Sequence, residues 1–144
     1  AGPHKLDAVA ALGARAVVAR DDADWRLELD RQGFGRGVDA VADIVAGSQV
    51  TACLECLRPG GRYVTAGAIA GPHVTLDWRM VYLRQLTLTG VTMGTQEQAR
   101  RIVAHVQSGR LKPLLAGSYP LEALPQAQHE FCSRRHVGKL VITL

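Results

Sequence analysis

The residues that could do chemistry are few, and the most suggestive spacing belongs to two cysteines. Cys53 and Cys56 form a C-x-x-C pattern, which elsewhere holds a metal ion or exchanges a disulfide. Cys53, however, belongs to an apolar series at helical spacing with Val50 and Leu57. Cys56 has no His or further Cys near it in the sequence. We therefore expect both thiols to behave as small buried hydrophobic groups.

The other candidate groups also point away from catalysis. The histidines show no metal-ligand spacing, and no Ser-His-Asp arrangement can be argued from them. They are His4, His73, His105, His129 and His136. Asp43 is the most interesting carboxylate, because it interrupts an apolar strand. A buried carboxylate needs hydrogen-bond partners, so we interpret Asp43 as a structural residue rather than a catalyst.

The glycine-rich segment 33–37 does not fit a phosphate-binding turn. Val38 stands where a G-x-G-x-x-G pattern needs its last glycine, and the segment precedes a strand rather than a helix. We expect an ordinary loop.

Composition sets the broad class. The chain has 144 residues, a net charge of +4 and 47% apolar residues, which are typical of one globular domain. No apolar run reaches the ~20 residues of a membrane span, and residues 1–7 do not resemble a signal peptide. Ala1-Gly2-Pro3 lacks an initiator Met, which suggests an excised piece. An odd number of cysteines without framework spacing suits a reducing cytoplasm.

The elements that position these residues are clearest over residues 36–67. This segment predicts strand Val38–Val45, a helix that begins at Ser48, a Pro59-Gly60-Gly61 turn and strand Arg62–Ala66. Together they make one βαβ unit, in which ligands sit at the carboxyl ends of parallel strands.

The remaining elements alternate between helix and strand, which favours a mostly parallel sheet. Gly13 is predicted to end the first helix in a left-handed conformation, and Thr95 with Gln98 forms a capping box. The predicted helices are His4–Leu12, Asp22–Gln32, Trp78–Leu83, Thr95–Gly109 and Leu121–Arg134. The predicted strands are Ala16–Ala19, Leu86–Thr92, Leu111–Ala116 (at best an edge strand) and Lys139–Leu144.

Several short segments, taken in order, carry a family resemblance. They are Lys5-Leu6, Leu12-Gly13-Ala14, Gly35–Asp39, Leu57–Arg62, Gly67-Ala68, Leu88-Thr89-Gly90, Gly109–Pro113, Tyr119-Pro120-Leu121 and His136–Val141. In this order the chain resembles the latter part of the cofactor domain of medium-chain dehydrogenases/reductases, in the quinone-oxidoreductase and zinc-type alcohol dehydrogenase branches.

The resemblance implies an α/β fold that is a partial Rossmann-like domain over residues 1–144, with helices on both faces of the sheet. The first strand, glycine loop, helix and strand of that domain, and a GroES-like catalytic domain, have no counterpart here. It implies no metal ligands and no catalytic residue in this chain. The implied function is the cofactor-binding part of an NAD(P)-dependent oxidoreductase that transfers hydride.

The resemblance also implies where a nicotinamide dinucleotide would touch the chain. Lys5 and Arg20 would follow the second and third strands of the complete domain, near the adenosine ribose, where two cations suit the 2′-phosphate of NADP. The nicotinamide side would meet three strand ends, which are Val45-Ala46, Gly67-Ala68-Ile69 and Met93-Gly94. Ala46 stands where relatives often carry Gly, so its methyl group is expected to crowd a cofactor.

Two other functions remain open. Rossmann-like methyltransferases also carry a helix, a Pro-Gly-Gly turn and a strand, although their sheets usually finish in an antiparallel hairpin. A non-catalytic domain could instead survive by self-association, since an open sheet leaves an unpaired edge. In dehydrogenase dimers the strand that corresponds to Leu86–Thr92 commonly pairs across the interface, so a homo-oligomer is expected.

Overall fold

The structure is a computed structural model that describes residues 2–19 and 22–144. Its contacts divide the chain into two compact units. The central unit is Ala23–Met93, and the terminal unit consists of the described residues of Ala1–Asp22 together with Gly94–Leu144. None of the described helices is both long and apolar enough to cross a membrane.

Every ladder in the described part of the chain is parallel, which confirms the predicted α/β class with parallel pairing. The helices there are α1 (Leu6–Ala10), α2 (Trp25–Leu29), α3 (Gln49–Glu55), α4 (Trp78–Leu83), α5 (Gln96–Gln107) and α6 (Leu124–Ser133). The strands are β1 (Val38–Asp43), β2 (Leu57–Thr65), β3 (Thr87–Gly90), β4 (Leu115–Pro120) and β5 (Lys139–Thr143).

The central unit contains the predicted βαβ unit, extended by one strand. Its sheet has the order β1-β2-β3, and Ala42 lies opposite Val64 in the first ladder. The strands predicted at Val38–Val45 and Arg62–Ala66 therefore do run side by side in the same direction. The core of this unit is one apolar cluster of Ala46, Val50, Leu54, Leu57, Tyr63 and Leu86. Leu54 and Leu57 are its most deeply buried side chains, at 0% and 1% exposure.

The predicted Pro59-Gly60-Gly61 turn is instead part of β2. The ladder with β1 begins at Val38 opposite Leu57, and its register shifts before Ala40. Gly60 adopts φ +76° there, and its N–H donates to the Arg84 carbonyl at 2.9 Å. Because glycine tolerates this φ, the chain continues as an irregular strand rather than turning.

Two predicted elements in the first part of the chain differ from the structure. Residues 16–19 join neither of the two sheets, because an apolar run becomes a strand only where a neighbouring strand takes its backbone groups. The helix predicted for Asp22–Gln32 begins at Trp25 and gives way to a wider turn, Asp30–Phe34. Gly33 has φ +94°, which interrupts the regular helix. The sequence also predicts that Asp21 can cap this helix, but Asp21 lies outside the described residues.

In the terminal unit the predicted helix caps agree with the structure. The capping box is confirmed: the Gln98 N–H donates to Thr95 Oγ1 at 3.2 Å, and the Thr95 N–H donates to Gln98 Oε1 at 2.8 Å. Gly13 has φ +91° after α1, as predicted for a C-terminal cap. The strand predicted at Leu111–Ala116 instead begins at Leu115, after Pro113, where the chain can pair in parallel with β5.

One arginine joins the ends of three elements in the central unit. The Arg84 guanidinium follows α4 and donates to the carbonyls of Leu54 at 3.2 Å and Glu55 at 3.4 Å, and also to the Leu57 carbonyl. The first two carbonyls are in the last turn of α3, where the Leu54 carbonyl also accepts a backbone N–H of the cap. A cation is favoured at this negative end of the helix.

We expect Arg84→Met to lower the free energy of unfolding by about 1.5–3 kcal/mol, the usual contribution of hydrogen bonds to a charged group. Arg58→Met is the matched control, because the Arg58–Asp39 pair is mostly solvent-exposed and such pairs contribute roughly 0–1 kcal/mol. Urea denaturation followed by circular dichroism measures both variants. Equal losses in the two would contradict the role given to Arg84.

Candidate functional site

The loops that follow β1 and β2 are joined by backbone hydrogen bonds at the carboxyl edge of the sheet. The Ala66 N–H donates to the Asp43 carbonyl at 2.9 Å, and the Ala70 N–H donates to the Val45 carbonyl at 2.8 Å. Loops 44–47 and 66–70 therefore form one continuous strand-end surface. Their close approach follows from parallel pairing, which brings the carboxyl ends of neighbouring strands to the same edge.

Two glycines allow this close approach. A Cβ atom on Gly67 would lie 2.9 Å from the Ile44 carbonyl oxygen, and one on Gly47 would lie 2.9 Å from the Ala70 Cβ. Gly47 also has φ +67°, which side chains disfavour. The glycines noted in the sequence at these strand ends are therefore required by packing between the loops.

Asp43 fixes the first of the two loops. Its Oδ1 accepts from the Val45 N–H at 2.7 Å, and its Oδ2 accepts from the Ala46 N–H at 3.1 Å and from the Tyr63 hydroxyl at 2.5 Å. The prediction that Asp43 is a hydrogen-bonded structural residue is confirmed. The same contacts explain why β1 ends at Asp43, two residues before its predicted end: the backbone N–H groups that follow turn back to the carboxylate.

The pKa of Asp43 is lowered and the pKa of Tyr63 is raised from their ordinary values. Burial raises the pKa of Asp43, but the hydrogen bonds from Tyr63, Val45 and Ala46 outweigh burial and hold it below its ordinary value. Burial, followed by the hydrogen bond to Asp43, raises the pKa of Tyr63 well above its ordinary range. At neutral pH the pair is therefore a carboxylate that accepts from a neutral phenol.

A groove opens at the carboxyl ends of β2 and β3, next to these loops. Its volume is about 500 Å³. It is lined by Thr65, Ala66, Gly67, Ala68, Gly90, Val91 and Thr92. These side chains are small and carry no charge, so the groove suits a flat, neutral group that hydrogen-bonds to backbone. Of the residues predicted at strand ends, Gly67 and Ala68 line it directly.

The other predicted strand-end residues have different surroundings. Val45 and Ala46 lie in the first loop, and Ala46 is only 8% exposed with φ +54°. Its methyl group packs in the apolar core, so it does not crowd a ligand as expected from the sequence. Ile69 and Met93 belong to the same unit and are highly exposed, at 73% and 93%.

Of the two predicted phosphate contacts, the structure describes Lys5, which belongs to the terminal unit. Lys5 is half-buried in the terminal unit, and its Nζ donates to the His136 carbonyl at 2.8 Å. Gly94 also belongs to the terminal unit, beside the capping side chain of Gln98. Arg20 lies outside the described residues. The structure therefore places Val45, Ala46, Gly67, Ala68, Ile69 and Met93 in the central unit, and Lys5 and Gly94 in the terminal unit.

Sequence reasoning missed part of the groove and the partner of Asp43. Gly90 and Thr92 fell inside the predicted strand Leu86–Thr92, and the early end of β3 at Gly90 is what exposes them. Tyr63 stands twenty residues from Asp43, and the alternation of β2 gave no indication of which strand-end group its hydroxyl would reach.

Cys53 and Cys56 are not reactive thiols, and the described metal-ligating side chains do not form a metal site. Burial, with smaller contributions from Asp43 and Cys56, raises the pKa of Cys53 to about 11. Burial also raises the pKa of Cys56. Both thiols are therefore protonated at neutral pH and are poor nucleophiles. Within residues 2–19 and 22–144, no three side chains of His, Cys, Asp or Glu gather as a metal site would require.

Solved structures share this fold closely. The crystal structure of a Sinorhizobium meliloti 1021 protein described as an alcohol dehydrogenase superposes with a TM-score of 0.88 at 44% sequence identity. The match covers 99% of this chain and 40% of that protein.

Curated relatives point the same way. A quinone oxidoreductase of Rattus norvegicus is 24% identical over 139 residues, which are 92% of this chain and 42% of the relative. The spectinabilin polyketide synthase system protein NorB of Streptomyces orinoci is 32% identical over 152 aligned residues, covering 100% of this chain and 7% of that protein. The chain thus spans less than half the length of each relative it matches.

The family model described as zinc-binding dehydrogenase matches residues 12–142, nearly the whole chain. This match favours the dehydrogenase interpretation over a methyltransferase, and it agrees with the parallel closing strand β5, where a methyltransferase sheet would end in an antiparallel hairpin. The chain belongs to the zinc-binding dehydrogenase family, within the medium-chain dehydrogenase/reductase superfamily.

Proposed function

We propose that this chain is the nicotinamide-binding part of an NAD(P)-dependent oxidoreductase of the quinone reductase or alcohol dehydrogenase type. One observation carries the proposal: a neutral groove of about 500 Å³ at the carboxyl ends of two parallel strands. Ligands of open α/β sheets bind at such edges. The family match and the lengths of the relatives support a role within a larger protein.

The residues of the groove fit a nicotinamide ring. The ring is flat, and its carboxamide needs donors and acceptors, which backbone groups of loops 44–47 and 66–70 can supply. The cofactor, when bound, supplies or takes up the hydride, while the protein binds and orients it. In this proposal Gly67 and Ala68 hold the ring, and the small groove side chains exclude water from one of its faces. Val45, Ala46, Ile69 and Met93 of the central unit are further proposed cofactor contacts. Gly94 is proposed as a contact on the family resemblance alone.

Zinc does not fit the described residues, despite the name of the family. Because no cluster of three ligand side chains is present among them, we assign this chain no metal role and derive no step from a metal. Catalysis that needs a metal would have to use residues outside those described.

The preference for NADP over NAD is a further part of the proposal. Its support is the pair of cations predicted near the adenosine ribose, Lys5 and Arg20. The Lys5 ammonium gives one of its donors to the His136 carbonyl, which leaves further donors for a phosphate. That anchor would also reduce the entropy lost when Lys5 binds the 2′-phosphate.

We also propose self-association through β3 and a cytoplasmic location. In the central unit β3 is the last strand of the sheet, and it is exposed along its length. Leu88 in β3 and Val91 just after it are apolar and 38% and 50% exposed. Unpaired edges of this kind favour strand addition. The location rests on three free cysteines, Cys53, Cys56 and Cys132.

Filling the groove should weaken binding of the nicotinamide half of the cofactor. We expect Ala68→Phe to raise the Kd of the 144-residue chain for nicotinamide mononucleotide by about tenfold, equivalent to ~1.4 kcal/mol. Ala99→Phe, on the exposed face of α5, is the matched control. Saturation-transfer NMR of the nicotinamide protons measures both. If the unaltered chain gave no signal at millimolar ligand, the proposal would fail.

Removing the two cations should change cofactor preference rather than cofactor binding as a whole. We expect Lys5→Met with Arg20→Gln to reduce the ratio of NADPH to NADH affinity by about tenfold, because each substitution removes a charge-assisted bond to the phosphate. The ratio, measured by titration calorimetry, is insensitive to any loss of stability that affects both cofactors equally. An unchanged ratio would assign both cations to the protein surface.

A proline at the sheet edge tests the proposed dimer. The Val91 N–H donates to the Thr65 carbonyl, and donors alternate along a strand, so the Leu88 N–H points away from β2. Leu88→Pro therefore keeps the internal ladder but removes an edge donor. We expect light scattering to show a dimer for the unaltered chain and a monomer for the variant, with Leu88→Thr as a control that keeps the N–H. A monomeric unaltered chain would refute edge pairing.

A further inference from the structure

Asp43 and Tyr63 meet at the point where both loops of the candidate site leave the sheet. In the ladder between β1 and β2, Asp43 lies opposite Thr65 and Tyr63 lies opposite Val41, so the two residues are offset by two positions and share one face of the sheet. Tyr63 is only 5% exposed, and its ring belongs to the apolar core. The core therefore holds the hydroxyl in place, and the hydroxyl holds the carboxylate.

Asp43 contacts loops 44–47 and 66–70 through different atoms. Its carboxylate accepts the Val45 and Ala46 N–H groups of loop 44–47, and its backbone carbonyl accepts the Ala66 N–H of loop 66–70. The two loops are then joined by the bond from the Ala70 N–H to the Val45 carbonyl at 2.8 Å.

The first loop needs such support. Ala46 has φ +54°, a conformation that a residue with a Cβ atom adopts at a cost of about 1–2 kcal/mol. The carboxylate bonds to the Val45 and Ala46 N–H groups offset this cost. Without them loop 44–47 can relax, and the Ile44 carbonyl, against which Gly67 packs, moves with it.

We propose that Asp43 and Tyr63 are a positioning pair that sets the shape of the nicotinamide groove by holding loops 44–47 and 66–70 together. The inference rests on the proposed function, since a positioning role has meaning only for a bound ligand. Neither side chain lines the groove, so both act through Gly67 and its neighbours.

Few groups of the central unit act on the carboxylate. Those facing it are the Tyr63 phenol from β2 and the Cys53 thiol from α3, and both are neutral at pH 7 because burial raises their pKa values. The hydroxyl of Thr65 is not available to it, because Thr65 Oγ1 donates to the Gly67 carbonyl at 3.0 Å. The phenol is thus the side-chain donor on which the carboxylate depends.

The pair has a definite pH dependence. The folded pKa of Asp43 lies below its unfolded value, so the stability it contributes is present above the unfolded pKa and is lost as pH falls through the folded pKa. Tyr63→Phe removes one bond to the ionised form. It should therefore raise the pKa of Asp43 and move the loss of loop order to higher pH.

The decisive variant is Tyr63→Phe, which keeps the buried ring and removes only the hydroxyl. We expect the Kd for nicotinamide mononucleotide to rise about two- to tenfold, the effect of one hydrogen bond of ordinary strength. Amide hydrogen exchange at Val45, Ala46 and Ala70 should accelerate, and the carbon-13 shift of the Asp43 carboxyl should titrate at higher pH. Tyr82→Phe, at a tyrosine that is 64% exposed, is the matched control.

Loop exchange and mononucleotide binding together test the positioning role. Faster exchange in the loops together with weaker binding supports the positioning pair. Faster exchange with unchanged binding shows a purely structural role and overturns the inference, as does unchanged exchange. If the unaltered chain does not bind the mononucleotide, the proposed function fails as well. If it binds and Tyr63→Phe binds equally, only the positioning role fails.

Discussion

The parallel pairing of β1 with β2 is the interaction on which the rest of the structure depends. It buries Leu54 and Leu57 between strand and helix, and it places the ends of both strands at one edge of the sheet. Parallel neighbours need a crossover, and α3 supplies one in seven residues. The opposite end of the crossover is closed by the Arg84 guanidinium on the last carbonyls of α3. The site at one edge and the cap at the other are thus two consequences of one βαβ unit.

One half-buried charge, that of Asp43, lies next to the candidate site. Asp43 stays ionised because three donors bind its carboxylate. They are the N–H groups of Val45 and Ala46 and the hydroxyl of Tyr63. The groove itself is left neutral and lined by small side chains. A neutral groove next to a fully hydrogen-bonded carboxylate suits a ligand that carries its own reactive group. This agrees with the proposed nicotinamide cofactor, which supplies the chemistry while the protein binds and orients it.

Glycines of the central unit are required for two different reasons, and the sequence predicted only some of them. Gly67 is needed because a carbonyl lies where a side chain would be, although its own φ is ordinary. Gly60 instead supplies a positive φ inside β2, where the sequence suggested a turn. A Pro-Gly-Gly segment favours a turn locally. Here the Val38 N–H donates to the Cys56 carbonyl just before β2 and the Gly60 N–H donates to the Arg84 carbonyl, so the segment stays in the strand.

The sequence by itself determined the class of fold and the order of most of its elements, and it gave the edge at which we propose that a ligand binds. Apolar periodicity and capping residues act over a few positions, so α4, the Thr95 capping box and the parallel strands could be predicted from them. Residues 16–19 and the length of α2 could not, because a strand exists only where a neighbour accepts its backbone groups. Only the tertiary structure decided that Ala46 turns into the core, that Tyr63 reaches Asp43, and that Gly90 and Thr92 open into the groove. Those contacts join residues distant in sequence, and their distances depend on register and packing that no local pattern specifies.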